Sequence, residues 1–260
     1  MTISTANPVV YERIGDVAIM TMQFAPHNLV GGVLSRELIE ALKTANADGA
    51  RAVVLKSGLR HFSAGADIGL FENRGARLYS ELDLIGVLRA FEELPMPVIA
   101  SVHGVALGGG FELALACDLI VASASAKFGL VEATLGLHPL MGGIQRLIAR
   151  AGAARAKEMV MLARRHDATT LERWNVINRV VPDHQLDEVT LSLASELAAG
   201  PTIAHAATKR LANLYQSEGM RVADEGMRDV HAPILASDDL ASGIAAFHGA
   251  GPGSAVFTGH

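Results

Sequence analysis

Short apolar segments alternate with longer amphipathic segments in the first 142 residues of the chain. The short segments have the length and apolar character of buried strands, and they cover residues 17–24, 52–55, 98–102 and 118–122. The longer segments include amphipathic repeats and a glycine-led apolar stretch, and they predict helices over residues 33–47, 79–94 and 108–117. Strands that alternate with helices favour an α/β fold with right-handed crossovers.

Beyond residue 142 the pattern is mostly helical. It predicts helices over residues 144–150, 153–163, 170–174 and 184–199, followed by a break at Gly200-Pro201 and further helices. We therefore predict a core at residues 1–199 and a C-terminal helical region at residues 200–260. The glycine-rich stretch 249–253 predicts a loose tail.

Composition narrows the class of partners. Half of the 260 residues are hydrophobic, and the mean hydropathy of +0.30 is high for a chain that folds in water. Part of the apolar surface is therefore expected to be buried between subunits. The net charge of −5 gives no general attraction to nucleic acid or to anionic membranes.

Cysteine usage bears on the compartment. The single cysteine, Cys117, lies among apolar residues, which predicts a buried thiol and no disulfide framework. The first ten residues lack the basic and apolar regions of a secretory signal. We therefore expect a cytoplasmic protein.

Two segments carry candidate chemistry: residues 61–68 and residues 104–112. Each places a turn of small residues after an apolar strand, and two backbone amides presented in this way can stabilise the negative charge that develops on a carbonyl oxygen. The triple glycine 108–110 lacks the Gly-Lys-Ser/Thr ending of a phosphate loop. Tight strand-to-helix packing is the alternative reason for these glycines. Asp67 is predicted to be a cap or turn residue and not a catalytic acid.

Glu112 and Glu132 each have apolar neighbours in the sequence. A carboxyl group in apolar surroundings has a raised pKa, and two such groups can serve as a proton donor and a water-activating base. Exposure of one or both to solvent is the alternative. The sequence alone does not bring together two residues that are twenty positions apart.

The other polar residues give weaker indications of function. The ten histidines show no metal-ligand spacing, so we predict no metal site. A basic cluster on successive predicted helices is interpreted as a solvated face, with phosphate binding as the minority alternative. Its members are Arg146, Arg150, Arg155, Lys157, Arg164 and Arg165.

Several ordered motifs resemble those of the crotonase superfamily, the enoyl-CoA hydratase/isomerase family. They lie at residues 24–29, 62–68, 104–118, 128–136, 142–147, 243–247 and 256–259. The resemblance implies an α/β, crotonase-like spiral of ββα repeats with a C-terminal helical trimerisation region. It also implies self-association as a trimer or a dimer of trimers. The substrate would be an acyl-CoA, so that coenzyme A is part of the substrate and no separate cofactor is needed.

The resemblance also assigns roles. It implies that Glu112 and Glu132 are catalytic, and that the amides of Ala64 and Gly109 form the oxyanion hole. It implies substrate contacts along two early segments and at one late position, namely His27, Asn28, Leu29, Gly65, Ala66, Asp67, Ile68 and Phe247. His138 and Leu140 depart from the family pattern and are candidate substrate contacts, with a supporting role behind the site as the alternative for His138. Because hydratases of the family carry both glutamates, we expect reversible syn addition of water to a trans-2-enoyl-CoA through a thioester enolate.

Two departures from the family pattern keep alternatives open. Leu140 replaces the usual glycine, whose amide helps to place the water, and His138 precedes Pro139. Small residues at 249–251 replace the Lys-Arg pair that usually follows the terminal phenylalanine. The alternatives are an enoyl-CoA isomerase or other enolate chemistry, and a catalytically weak CoA- or RNA-binding homologue. The acidic net charge argues against RNA.

Overall fold

The larger sheet has six strands among the residues that the computed structural model describes, 7–72, 78, 83, 85–251 and 253–260. The strands are β1 Val9–Ile14, β2 Val17–Met22, β3 Ala52–Ser57, β4 Val98–Val102, β6 Leu119–Ser123 and β9 Arg179–Val181, which are neighbours in that order. β1 and β2 are antiparallel, and the other pairs are parallel. Every residue of β4 is buried, as expected for a parallel strand covered on both faces.

A smaller sheet lies beside it. It contains β5 Val105–Leu107, β7 Lys127–Gly129 and β8 His166–Asp167. β5 and β7 are parallel, whereas β7 and β8 are antiparallel. An isolated bridge between Ser63 and Ala106 attaches the segment after β3 to β5. This attachment brings residues 61–68 next to the strand that leads into residues 104–112.

Helices follow the strands. They are α1 Gly32–Ala47, α2 Gly86–Glu92, α3 Gly109–Ala116, α4 Gly143–Leu162, α5 Ala168–Arg173, α6 Leu186–Ala199, α7 Thr202–Glu218, α8 Met220–Leu235 and α9 Asp238–Gly249. Short 3₁₀ turns cover Ile68–Phe71, Glu132–Leu135 and Asp183–Gln185. The predicted elements are confirmed within a few residues at their ends. Of the predicted helix 79–94, residues 79–82 and 84 lie outside the described residues.

The chain repeats one supersecondary unit. β4, β5 and α3 follow one another, as do β6, β7 and α4, so each unit places one strand in each sheet before its helix. This order confirms the predicted α/β spiral of ββα repeats. One face of the larger sheet packs against helices α1 to α4 through a core that contains Phe62, Phe91, Phe111 and Phe128. α6 covers the opposite face.

The helices after residue 200 bond to the preceding fold. Lys209 of α7 donates to Asp118 Oδ2 at 2.8 Å and to the carbonyl oxygen of Phe91 at 2.7 Å. The predicted loose tail at 249–253 is wrong at its start, because Gly249 ends α9 and the amide of Gly251 donates to the Ala246 carbonyl at 3.1 Å. No helix in the described part of the chain is both long and apolar enough to cross a bilayer.

Candidate active site

Close approach explains the glycines that precede α3. Gly108 has φ +47°, and a Cβ on it would lie 3.1 Å from Oε1 of Glu132. A Cβ on Gly110 would lie 2.4 Å from the Cβ of Ser63, a separation that no side chain tolerates. The packing interpretation of the glycines is therefore correct. It also has a chemical consequence, because the first amides of α3 face both the 63–67 segment and Glu132.

The backbone amides of Ala66 and Gly109 lie close together at this point. A Cβ on Gly109 would lie 3.6 Å from the amide nitrogen of Ala66. Neither amide donates to another described residue. The predicted use of the Ala64 amide is wrong, because that N–H donates to the carbonyl oxygen of His27 at 3.0 Å. The pair of free donors is thus Ala66 and Gly109.

The 63–67 segment is held by its backbone on both sides. The Leu107 amide donates to the Ser63 carbonyl at 3.1 Å, and the Val30 amide donates to the Gly65 carbonyl at 2.8 Å. Gly65 has φ +117°, a conformation that glycine adopts at little cost. These contacts fix the backbone beside Ala66, whose amide nitrogen lies close to Gly109.

Glu112 lies in the first turn of α3 and is only 2% exposed. Its Oε1 accepts hydrogen bonds from the amides of Met141 at 2.9 Å and Gly143 at 2.8 Å. Burial raises the pKa of Glu112 to about 7, and the charge of Glu132 adds to the rise, while the two amides and Arg146 oppose it. The carboxyl group can therefore exchange a proton near neutral pH.

Glu132 begins the 3₁₀ turn that follows β7. Burial raises its pKa, and the nearby His138 acts in the opposite direction. Its Oε2 is buried without a hydrogen-bond partner among the described residues. Because its charge influences the pKa of Glu112, the fold brings together two glutamates that the sequence alone left apart.

Leu140, in place of the usual glycine, adds a side chain that lies in an apolar cluster. Its side chain packs against a small apolar cluster formed by Leu70 and Leu78. Its amide has no acceptor in the part of the chain that the structure describes. The donor at this position is a backbone N–H, which leucine supplies as glycine does. Replacement of the usual glycine by Leu140 therefore retains the donor.

The segment containing His27, Asn28 and Leu29 runs beside the 63–67 segment. His27 is exposed and Leu29 is half-buried. The expectation that Asn28 contacts substrate is wrong, because its side chain is fully buried. Its Nδ2 donates to Ser57 Oγ at 2.8 Å and to the Phe62 carbonyl at 3.0 Å, so it supports the loop from behind.

The remaining predicted contacts lie at the edge of the site or away from it. Asp67 caps the following 3₁₀ turn by accepting from the Gly69 amide at 3.0 Å, which confirms the predicted cap. Ile68 is 61% exposed, and His138 is exposed beside Glu132. Phe247 is not among these residues: it lines a separate cavity of about 400 Å³ between α7, α8, α9 and the tail.

Sequence reasoning missed the role of two basic residues. Arg146 and Arg150 were assigned to a solvated face, but both turn inward. Arg146 bonds to Glu92 and to the carbonyls of the turn that holds Glu112. Arg150 donates to the Cys117 carbonyl at 2.7 Å. The only signal was the position of Arg146 in the 142–147 motif, three residues after its second glycine.

A second basic cluster also escaped sequence reasoning. His61 lies near Arg60, His27 and His103, and burial together with these neighbours lowers its pKa. The rings of His27 and His61 are 6.3 Å apart. The described residues hold no group of three His, Cys, Asp or Glu side chains arranged as metal ligands. The absence of a metal stays a prediction.

Comparisons with known proteins agree with this geometry. The family model described as "Enoyl-CoA hydratase/isomerase" matches residues 12–253. A "Probable enoyl-CoA hydratase" of Rhizobium meliloti (strain 1021) is 37% identical over 242 residues, which cover 91% of this chain and 93% of that protein. A "Carnitinyl-CoA dehydratase" of Salmonella heidelberg (strain SL476) is 38% identical over 202 residues, covering 75% of this chain and 77% of that protein.

Solved structures share the whole fold. The crystal structure of an enoyl-CoA hydratase from Bacillus anthracis superimposes with a TM-score of 0.90 at 28% identity, covering 97% of this chain and all (100%) of that one. The family model spans the two glutamates, the paired amides and the C-terminal helices. The chain therefore belongs to the enoyl-CoA hydratase/isomerase family of enzymes.

Proposed function

We propose that this protein catalyses the reversible addition of water to a trans-2-enoyl-CoA. The observation that carries the proposal is the pair of carboxyl groups, the buried Glu112 and the half-buried Glu132, beside the amides of Ala66 and Gly109, which have no acceptor among the described residues. A hydratase needs both features, one for the protons and one for the enolate oxygen.

The amide pair would bind the thioester oxygen. Attack of water at Cβ moves the π electrons of the double bond towards that oxygen and creates an enolate. Two fixed N–H donors stabilise this charge without reorganisation, and the N-terminus of α3 adds a favourable dipole. The assignment of the hole to Ala66 and Gly109 replaces the one made from sequence.

The glutamates would handle the protons. One carboxylate removes a proton from water while the water oxygen bonds to Cβ. The other carboxyl group delivers a proton to Cα. Addition from one side of the double bond gives syn hydration, and proton exchange with solvent restores the starting protonation states. Because the two groups titrate as a pair, we assign these roles to the pair and not to either residue alone.

The basic cluster offers a place for the phosphates of coenzyme A. Arg60 and His27 lie near His61, which precedes the 63–67 segment, and they would take the place of the Lys-Arg pair that is missing after the terminal phenylalanine. A phosphate there would favour the protonated form of His61 and raise its lowered pKa. Contact between Phe247 and the adenine stays a prediction, as do trimer formation, a cytoplasmic location and the lack of a separate cofactor.

Isotope incorporation tests the proposal. Crotonyl-CoA is incubated with the protein in water enriched in ¹⁸O, and the product is analysed by mass spectrometry. Hydration gives a 3-hydroxyacyl-CoA that carries the label. If a 3-enoyl-CoA is converted to the 2-enoyl isomer while no labelled hydroxyl product forms, the protein is an isomerase and the proposal is wrong.

A further inference from the structure

The guanidinium of Arg146 holds the turn that precedes α4. Its Nη1 donates to the carbonyl of Gly142 at 3.2 Å and to that of Met141 at 3.5 Å. A Cβ on Gly142 would collide with Nη1, and Gly142 has φ +89°. The arginine thus lies directly against the turn, and only glycine leaves room for it.

The opposite side of the same turn holds Glu112. The amides of Met141 and Gly143 donate to Glu112 Oε1. The carbonyls of this turn therefore point to Arg146 while its amides point to the catalytic carboxyl group. A shift of the turn moves both amides, and with them the position of Glu112.

Arg146 is itself held in place by an ion pair to another helix. Its Nη2 forms an ion pair with Glu92 at the end of α2, and the arginine side chain is only 17% exposed. The carbonyl of Glu92 accepts from Asn213 Nδ2 of α7 at 3.0 Å. The pair therefore joins two fixed elements, unlike an exposed ion pair between mobile side chains.

We propose that Arg146 and Glu92 are positioning residues, which fix the Met141–Gly143 turn and thereby the carboxyl group of Glu112 without contacting substrate. This inference rests on the proposed function. Misplacement of a reacting group by about 1 Å can cost roughly 100-fold in rate. Loss of the Arg146–Glu92 ion pair would therefore lower turnover more than it would weaken substrate binding.

The charge of Arg146 has a second effect. The charged groups that face Glu112 are Glu132 from the 3₁₀ turn and Arg146 from α4, with Glu92 behind the arginine. Loss of the arginine removes an influence that lowers the pKa of Glu112. The pH dependence of turnover that follows ionisation of Glu112 should then move to higher pH.

The test compares Arg146→Met, Arg146→Lys and Glu92→Gln with Arg155→Met. Arg155 lies on the same helix, where it forms an exposed ion pair with Glu158 and stacks on the Trp174 ring without contacting the Met141–Gly143 turn, so it controls for loss of an arginine from α4. We expect Arg146→Met to lower kcat roughly 100-fold with KM changed less than about threefold. Arg146→Lys should recover part of the loss, and Glu92→Gln should lower kcat in the same direction.

Hydrogen exchange supplies a readout that does not depend on activity. In the substrate-free protein, exchange at the amides of Met141 and Gly143 should accelerate in Arg146→Met and Glu92→Gln but not in Arg155→Met. Unchanged exchange, or a kcat equal to that of the control, overturns the inference. If the wild type hydrates no enoyl-CoA, the proposed function fails. Hydrogen exchange still decides whether Arg146 and Glu92 fix the turn. If Arg146→Met does not fold, Arg146→Lys and Glu92→Gln decide the question.

Discussion

The amide nitrogen of Ala64 lies 3.0 Å from the carbonyl oxygen of His27 and donates its hydrogen to it. This bond uses the donor of Ala64 in the fold itself. It leaves the amide of Ala66, two residues later, to face Gly109 across the site. The proposed oxyanion hole therefore depends on the second alanine of the segment.

A methyl group on Gly109 tests this hole. The Cβ of Gly109→Ala would make ordinary contacts of 3.5–3.6 Å with Met141, Val30 and the Ala66 amide, so the variant should fold. It would occupy space next to both donors, and we expect kcat to fall by about 100-fold, as when one oxyanion donor is lost. Steady-state kinetics with crotonyl-CoA measure the effect.

Gly249→Ala is the matched control. It makes the same change at the end of α9, where nothing lies within 4 Å of the new Cβ. Equal kinetics for Gly109→Ala and Gly249→Ala would show that the thioester oxygen does not lie between Ala66 and Gly109.

Asn28 should prove to be structural. It is fully buried with φ +50°, and its side chain bonds to Ser57 Oγ and to the Phe62 carbonyl. Replacement by alanine removes these bonds and the one that Asn28 Oδ1 accepts from the Phe24 amide, so Asn28→Ala should lower the free energy of unfolding by about 3 kcal/mol. Urea unfolding measures it, and Asn28→Gly, which tolerates the positive φ, separates backbone strain from lost hydrogen bonds. A variant as stable as the wild type would contradict this role.

The buried carboxyl group of Glu112 should make stability depend on pH. Its pKa rises from 4.5 to about 7 on folding, so the folded state holds a proton that the unfolded state releases between these values. Wild-type stability should therefore fall as pH increases through this window, by a free energy on the order of 3 kcal/mol. Glu112→Gln lacks this loss and retains an oxygen for the amides of Met141 and Gly143.

The measurement is the free energy of unfolding of wild type and Glu112→Gln at several pH values. The variant should match the wild type below about pH 4.5 and exceed it increasingly up to about pH 7. Glu196→Gln, an exposed glutamate on α6, is the control for loss of one carboxyl group. A difference that does not change with pH would contradict the raised pKa.

Leu140 should not be needed as a side chain. It packs against Leu70 and Leu78, and its backbone amide remains available near the glutamates. We expect Leu140→Ala to change kcat for crotonyl-CoA by less than about tenfold, because it leaves the amide in place. A loss of two decades would show that the side chain itself places the water or the substrate.

The sequence predicted strands β2, β3, β4 and β6 and the helices between them because burial imposes a periodicity on each element, whereas it did not predict the edge strands β1 and β9 or the short strands β5, β7 and β8. It also placed Glu112 and Gly109 on the same short helix, α3. It did not distinguish Ala64 from Ala66, because the choice depends on where the chain at His27 passes. The sequence also did not predict that Asn28 is structural, because its buried, left-handed conformation arises from contacts with distant residues. Arg146 was missed because hydropathy alone does not show that an arginine turns inward to pair with Glu92.

The central claim is that Glu112 and Glu132 together hydrate an enoyl-CoA. Its most direct test follows the loss of the enoyl-thioester absorbance of crotonyl-CoA for wild type, Glu112→Gln, Glu132→Gln and the control Glu196→Gln. We predict that wild type and control hydrate the substrate and that each active-site variant loses about 100-fold or more in kcat. A wild type that binds the ester but leaves its absorbance unchanged, or a variant of either glutamate with wild-type kcat, would contradict the claim.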